Sequence, residues 1–272
     1  MTNAHPNSGP EFLEQHVGKL KSRMGGFVPG SHVSIRGVDL HETFKNADWM
    51  DLYVFGITGR RLSAAQLQIL HAIWIYTSYP DARLWNNRVA ALAGSARSTG
   101  GLSISAALAV SEAAIYGGGI YMPSISFLQR TCQTVNAGGS IAECVREELD
   151  ARRAIPGYGR PLTSKDERIP FIQARAREHG LDQGPHFRLA HEIDDYLAGG
   201  RWRMKMNYAA LAAALAADIG FTPREYYLIV FPTFLAGILP CHIEALDEPE
   251  GALFPLPCRD IGYMGEPARA WG

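Results

Sequence analysis

The run Ile155-Pro156-Gly157-Tyr158-Gly159-Arg160-Pro161-Leu162 sets two glycines around an aromatic residue, with an arginine beside them and a proline on either side. Glycine has no Cβ, so such a backbone can lie directly against a ligand. Arg160 adds a cation that keeps its proton and suits a carboxylate, a phosphate or an enolate. The same run fits an ordinary turn between helices, and composition leaves both readings open. Gly117-Gly118-Gly119 follows a helix rather than a strand, and no Lys-Ser/Thr comes after it. A phosphate-cradling loop is therefore disfavoured and a helix C-cap with a turn preferred. Cys241 and His242 are adjacent, but neighbours on a helix point apart, so a packed thiol is preferred over a nucleophile pair. The nine histidines show no H-E-x-x-H or other metal spacing, and no G-x-S-x-G is present. No metal site and no standard serine hydrolase are expected. Asp194-Asp195 and Glu147-Glu148 read as solvated helix faces. Arg201, Arg203 and Lys205 read as the solvated start of a helix or a local anion site.

The elements that would position these residues are helical. With 272 residues, 47% of them hydrophobic, the chain can bury a large core in one domain or two. A net charge of −1 gives no electrostatic reason to expect nucleic acid or an anionic membrane. Four cysteines without a C-x-x-C pair read as reduced thiols of a cytoplasmic protein. Residues 1–10 lack the basic start and apolar run of a signal peptide and should fray. The most apolar stretch, 226–241, is broken by Pro232 and Pro240; it is too short for a standard membrane span and reads as a buried helix pair.

Three capping patterns mark helix starts: Ser63 with Gln66, Ser140 with Glu143, and Thr222-Pro223 with Glu225. The first opens a face of Leu67, Leu70, Ile73 and Trp74. The second opens a helix running to about Arg153. Further helices are expected over 86–97 and 102–115, both rich in small residues and expected to be covered. Others are expected over 168–179, 186–197 and 207–218, the last almost pure alanine and leucine. One short strand over 32–38, alone or within a small hairpin, is the single strand signal.

Several segments, in order, resemble the citrate synthase family, and its short citryl-CoA lyase branch in particular. The 155–160 run followed by Lys165-Asp166-Glu167-Arg168 is similar to the family's P-G-F-G-H … D-P-R loop. Helices 89–97 and 102–115, ending in Tyr116-Gly117-Gly118-Gly119, resemble its A-x-x-A-S-T-G … H-G-G-A segment. Lys205-Met206-Asn207-Tyr208 resembles P-N-V-D-F, and Ile219-Gly220-Phe221-Thr222-Pro223 its following G-x-P turn. Arg36-Gly37 resembles its early R-G pair, and Tyr263-Met264-Gly265-Glu266-Pro267 its Y-x-G-P ending.

The resemblance implies an all-α, two-domain fold with at most a small N-terminal hairpin. It places a large domain at 1–118 and 205–272 and a small one at 119–204, with hinges near Gly117 and before Asn207. It also implies a homodimer. In that family an aspartate forms an enolate from an acyl-CoA, and two histidines stabilise the enolate and polarise the ketone. Here those positions hold Asn207, Tyr116 and Arg160. A carboxylate-clamping arginine is replaced by Phe234, just before Gly237, and the histidine-rich stretch corresponds to 76–81, without histidine. Arg168 matches a carboxylate-binding arginine.

An amide cannot act as a base, so ordinary citrate formation is not expected. The implied catalytic set is Tyr116, Arg160 and Asn207. The implied substrate-binding set is Arg168, Phe234, Tyr158, Gly157 and Gly159. The expected activity is carbon–carbon cleavage, or its reverse, through an enolate. The substrate would be an acyl-CoA or a related carboxylate, with no tightly bound cofactor. The alternatives are a CoA-independent enzyme on a more apolar substrate and a non-catalytic binding or scaffold relative. Tyr208, Glu112 and Asp166, away from the three replaced catalytic positions, remain candidate replacement bases.

Overall fold

The computed structural model describes residues 9–18, 22–160, 165–200, 204–253, 257–267 and 269. Residues 1–8 of the start expected to fray over 1–10, Pro161 and Leu162 of the glycine loop, and Arg201 and Arg203 of the basic stretch lie outside them; Pro10 already opens a helix. The chain forms two compact units, Met1–Leu62 and Ser63–Gly272. The large and small domains expected to meet at 118/119 and 204/205 would divide within the second.

The first unit holds α1 (Pro10–His16), strands β1 (Gly25–Val28), β2 (His32–Ile35) and β3 (Val38–Asp39), then α2 (Leu40–Phe44) and α3 (Trp49–Thr58). The strands form an antiparallel sheet in the order β1-β2-β3. The strand expected over 32–38 is really two strands, because the chain reverses at Arg36-Gly37. Ile35 pairs with Val38 across that turn. Both turn residues have positive φ, 48° and 83°, as a two-residue hairpin matched to strand twist requires. The Arg36 side chain donates to the carbonyls of Gly56 at 3.0 Å and Ile57 at 2.8 Å. It thereby covers acceptors that the end of α3 leaves open.

The second unit runs α4 (Ala64–Thr77), α5 (Trp85–Ser95), α6 (Gly100–Val110), α7 (Tyr121–Asn136), α8 (Ile141–Arg152), α9 (Ile169–Glu178), α10 (Pro185–Gly199), α11 (Tyr208–Asp218), α12 (Pro223–Val230) and α13 (Leu235–Asp247). All three expected capping boxes form, at Ser63, Ser140 and Thr222. In each, two residues three apart accept with their side chains from one another's backbone N–H, so the local chain suffices to make it. Helix α11 is the centre of the unit: nine of its eleven residues are buried, and it packs against α7 and α10. Helices α5, α6 and α13 form a second group. There Gly94 brings α5 onto the His242 carbonyl and Ala245 of α13. Cys241 and His242 are both buried here, and burial pushes the Cys241 thiol up.

The 226–241 stretch divides as two helices joined by a 3-10 turn at Phe231–Phe234, where Pro232 needs no donated hydrogen bond. By length and composition Pro223–Asp247 could cross a membrane, yet half of its most apolar window is buried within the protein.

Three expectations are corrected. The helix expected over 102–115 stops at Val110. The Ser111 carbonyl is taken by the Gly118 amide at 2.6 Å and the Ser111 hydroxyl by Asn86 Nδ2 at 3.1 Å, which folds the chain back. Nor is this helix covered: only Ser103 and Ala107 are buried, and Leu102 is 65% exposed. The acidic pairs are not simply solvated. Glu148 is buried between Arg130 and Arg152, at 2.8 and 2.9 Å, and Asp194 accepts the Met206 amide at 2.5 Å.

Candidate active site

The glycine loop is clamped to the chain entering α11. Asn207 N–H donates to the Gly157 carbonyl at 2.9 Å, and Gly159 N–H to the Lys205 carbonyl at 2.7 Å. Tyr158 pairs with Met206 as an isolated antiparallel bridge. Gly157 and Gly159 have φ of 85° and 91°, a region costly for residues with a Cβ. A Cβ on Gly157 would meet Ala210 of α11 within 2.6–2.9 Å. The space freed by this glycine is therefore filled by a helix, not left for a ligand. Tyr158 is buried, and its hydroxyl donates to the Ala190 carbonyl at 2.9 Å.

Asn207 is the N-cap of α11. Its Oδ1 accepts from Ala209 N at 2.9 Å, while Nδ2 donates to the Gly159 carbonyl at 2.9 Å. Both ends of the amide thus hold the loop that presents Arg160.

Arg160 Nη1 donates to the Lys165 carbonyl and to Glu167 Oε2, each at 3.0 Å. Glu167 is held below the usual carboxylate range by its own backbone N–H, then by Arg160. Arg168 makes a two-point pair with Asp166, Nε to Oδ1 at 2.8 Å and Nη2 to Oδ2 at 2.7 Å. The Asp166 side chain has no exposed surface and also accepts the Tyr208 amide at 2.9 Å. Burial raises its pKa, but the Arg168 and Tyr208 contacts outweigh that and hold it low. The Arg168 guanidinium lies 4.6 Å from the Tyr208 ring centre and 6.0 Å from that of Tyr79.

Tyr79, 38% exposed, sits within the field of all four charged groups. Burial pushes its phenol up, Glu167 and Asp166 add to that, and Arg168 and Arg160 oppose it. Its loop is fixed from behind by Asn87, which donates to the carbonyls of Tyr79 and Asp81 at 2.5 and 3.2 Å, and by Gly237 of α13 pressing on the Tyr79 carbonyl.

Phe234 is buried and stacks on Tyr121, ring centres 6.0 Å apart, while Tyr226 meets Tyr121 edge-on at 5.8 Å. Desolvation pushes the phenols of Tyr121, Tyr208 and Tyr226 far up, so none is a base near neutrality. Of the bases considered from sequence, Tyr208 is thereby removed, and Asp166 is locked against Arg168. Glu112 is exposed and accepts the Tyr227 hydroxyl; that bond, then burial, pushes the Tyr227 phenol up to about 12.

Tyr116 stands apart from the arginines, 61% exposed with φ of 55°. It lies on the loop whose Gly118 abuts the Phe231 ring. The structure therefore gathers Arg160, Arg168, Asn207, Gly157, Tyr158 and Gly159 around the entrance to α11, and Phe234 on the aromatic wall behind. Sequence reasoning missed Tyr79, Glu167 and Tyr121. The one available signal was that 76–81 matched a ligand-binding stretch, and its tyrosines went unweighed.

No protein-family model matches the chain, and no curated protein sequence matches it. Solved structures do. Citryl-CoA lyase from Hydrogenobacter thermophilus superposes with a TM-score of 0.79 at 19% identity, covering 93% of this chain and 98% of that one. An ATP citrate lyase variant from Methanosaeta concilii, in complex with (3S)-citryl-CoA, gives 0.72 at 16% identity over 92% of this chain and 42% of its own. Citrate synthase from Thermoplasma acidophilum, in a ternary complex with carboxymethyl coenzyme A and oxaloacetate, gives 0.63 at 16% identity over 83% of this chain and 59% of its own. Likeness at these identities shows a shared helical fold.

Proposed function

Since its fold is that of citrate synthases and citryl-CoA lyases, we propose that this chain is a divergent carbon–carbon lyase or synthase. It works through an enolate of an acyl-CoA or a related carbonyl compound, and cleavage is the favoured direction. The observation that carries this reading is the pair of guanidiniums held on one turn, Arg160 by Glu167 and Arg168 by Asp166, with Arg168 6.0 Å from the ring centre of the partly exposed Tyr79. Fixed cations and a hydroxyl at one spot are what a developing oxyanion needs.

Cleavage of a β-hydroxyacyl thioester balances as follows. The hydroxyl proton passes to water or to a substrate carboxylate. The Cα–Cβ bond breaks, its electron pair becomes the thioester enolate, and the carbonyl fragment leaves. The enolate then takes a proton from solvent. The Tyr79 hydroxyl and the remaining N–H donors of Arg168 stabilise the enolate oxygen. Arg160 receives a substrate carboxylate, and Asn207 holds the loop that presents it. Beside this loop is a cavity of about 290 Å³ whose wall holds Lys165 and Lys205 together with Asp166 and Asp194.

Calorimetric titration with coenzyme A and acetyl-CoA tests the ligand class: binding abolished by Arg160→Ala is expected. The Tyr79→Phe/Arg160→Ala double variant should lose about 100-fold or more in cleavage rate, and an undiminished rate would remove both residues from the mechanism. A second reading, a ligand-binding relative without turnover, is favoured by the Asn207 amide being engaged at both ends. It predicts coenzyme A binding with no product. A CoA-independent enzyme on a more apolar substrate is favoured by the buried Phe234–Tyr121 stack, and predicts no response to either coenzyme A ligand.

The exposed face of α6 supports a homodimer. No charged residue occurs from Gly100 to Val110, and Leu102, Ala106, Ala109 and Val110 face outward. A patch of this kind marks an interface. Sedimentation should give a dimer that Leu102→Glu dissociates; a concentration-independent monomer for the unaltered protein would refute it.

A further inference from the structure

The two guanidiniums differ in what holds them. Asp166 reaches Arg168 through two contacts with no exposed surface, and it also takes the Tyr208 amide. That carboxylate is part of the fold. Glu167 reaches Arg160 through a single 3.0 Å contact, and its side chain is 59% exposed where that of Arg160 is 20%. A one-point pair open to water is weak and exchangeable, whereas a desolvated two-point pair is not. Glu167 thus rests on a cation that could equally hold an incoming carboxylate.

We propose that Glu167 is an internal occupant of the Arg160 carboxylate site, and that it restricts the site to ligands with one carboxylate. The charge count leads there. Arg160 and Arg168 carry two positive charges, and Asp166 and Glu167 cancel both. One ligand carboxylate displaces Glu167 and takes Arg160. A second finds no unneutralised guanidinium and meets the displaced Glu167 and the fixed Asp166. The group held at Arg160 carries one carboxylate, and the portion next to that carboxylate is uncharged and can lie beside Arg168 and the Tyr79 ring. This deepens the enolate-lyase reading by naming how many carboxylates the reacting end of the substrate carries, whatever tail it has.

The test is titration of the intact protein at constant ionic strength and neutral pH with pyruvate, malonate and citrate, which carry one, two and three carboxylates. The wild type should bind pyruvate about tenfold more tightly than citrate, because each added carboxylate meets uncompensated like charge. Glu167→Gln should tighten all three and cut that preference to about threefold or less. Glu167→Gln combined with Arg160→Ala should lose the gain. An unchanged preference in Glu167→Gln, a gain that survives loss of Arg160, or no binding of any acid at high concentration would each overturn the proposal. Because these are binding ratios of free acids, they are readable whether or not coenzyme A binds or any bond is cleaved. Failure of the lyase reading is thus separable from failure of this one.

Discussion

Replacing Asp166 by Asn is expected to lower the melting temperature by about 10 °C or more. The carboxylate is fully buried, gripped at two points by Arg168 and bonded to the Tyr208 amide. Removing one partner of a buried ion pair leaves the other charge uncompensated, which costs about 3–5 kcal/mol. In a unit of this size, each kcal/mol moves the melting point by about 2–4 °C. The amide keeps the shape and can still accept a hydrogen bond, so the loss is electrostatic rather than steric. The pH dependence has a definite sign. The folded-state pKa of Asp166 is depressed. Its contribution is therefore complete above the unfolded value of about 3.9 and disappears as pH falls through the folded value. Melting curves at pH 7 and at pH values well below about 3.9 should show the variant losing most at pH 7 and converging on the wild type only at the acid end. An offset between the two proteins that stays constant with pH would exclude this account.

Gly157→Val should be nearly as damaging, at about 4 kcal/mol or more, and so roughly 10 °C. Two costs add. The residue sits at φ 85°, where a β-branched side chain is strained. Its Cβ would also lie within 2.9 Å of the Ala210 backbone nitrogen, on a helix buried on almost every side and unable to retreat. Gly159→Ala separates the two effects. Gly159 has the same kind of φ, but its Cβ would find only the flexible Met204 side chain, at 3.8 Å. Thermal melts should rank Gly157→Val well above Gly159→Ala. Equal losses would mean that backbone strain alone matters and that the contact with α11 does not.

These two positions show how the site is built. Gly157 locks the loop to α11, Asn207 ties the helix start back to Gly159, and Arg160 emerges from the locked loop. The family likeness suggested Asn207 as a substrate contact and Gly157 and Tyr158 as ligand-facing. The structure uses Gly157 and Tyr158 in packing and both ends of the Asn207 amide in holding the loop. Their part in recognition is to hold Arg160 still.

Much of the secondary structure could be read from residue order because the signals are local. A serine or threonine with Gln or Glu three positions on makes a capping box within one turn of chain, and all three such patterns did so. The alanine-rich segment over 208–218 carries no charge before Asp218 and could be stable only inside. The Lys165-Asp166-Glu167-Arg168 run marked a charged turn whatever surrounds it. Tertiary structure decided the rest. The helix expected to reach Ile115 ended early because Ser111, at its end, was claimed by Asn86 and Gly118. The exposed side of α6 depends on which neighbours cover it, and its main partners are α5 and α13. At the site, Arg168 was legible as a cation, but its neutralisation was not. Neither was Tyr79, which reaches Arg168 from a loop on the far side of ninety residues of chain, nor the Tyr208 amide that closes on Asp166. Residue types and short spacings determine where helices begin and which side chains can carry charge. Which charges cancel is determined by contacts between distant segments, and these exist only once the apolar faces of α4, α9 and α11 have packed.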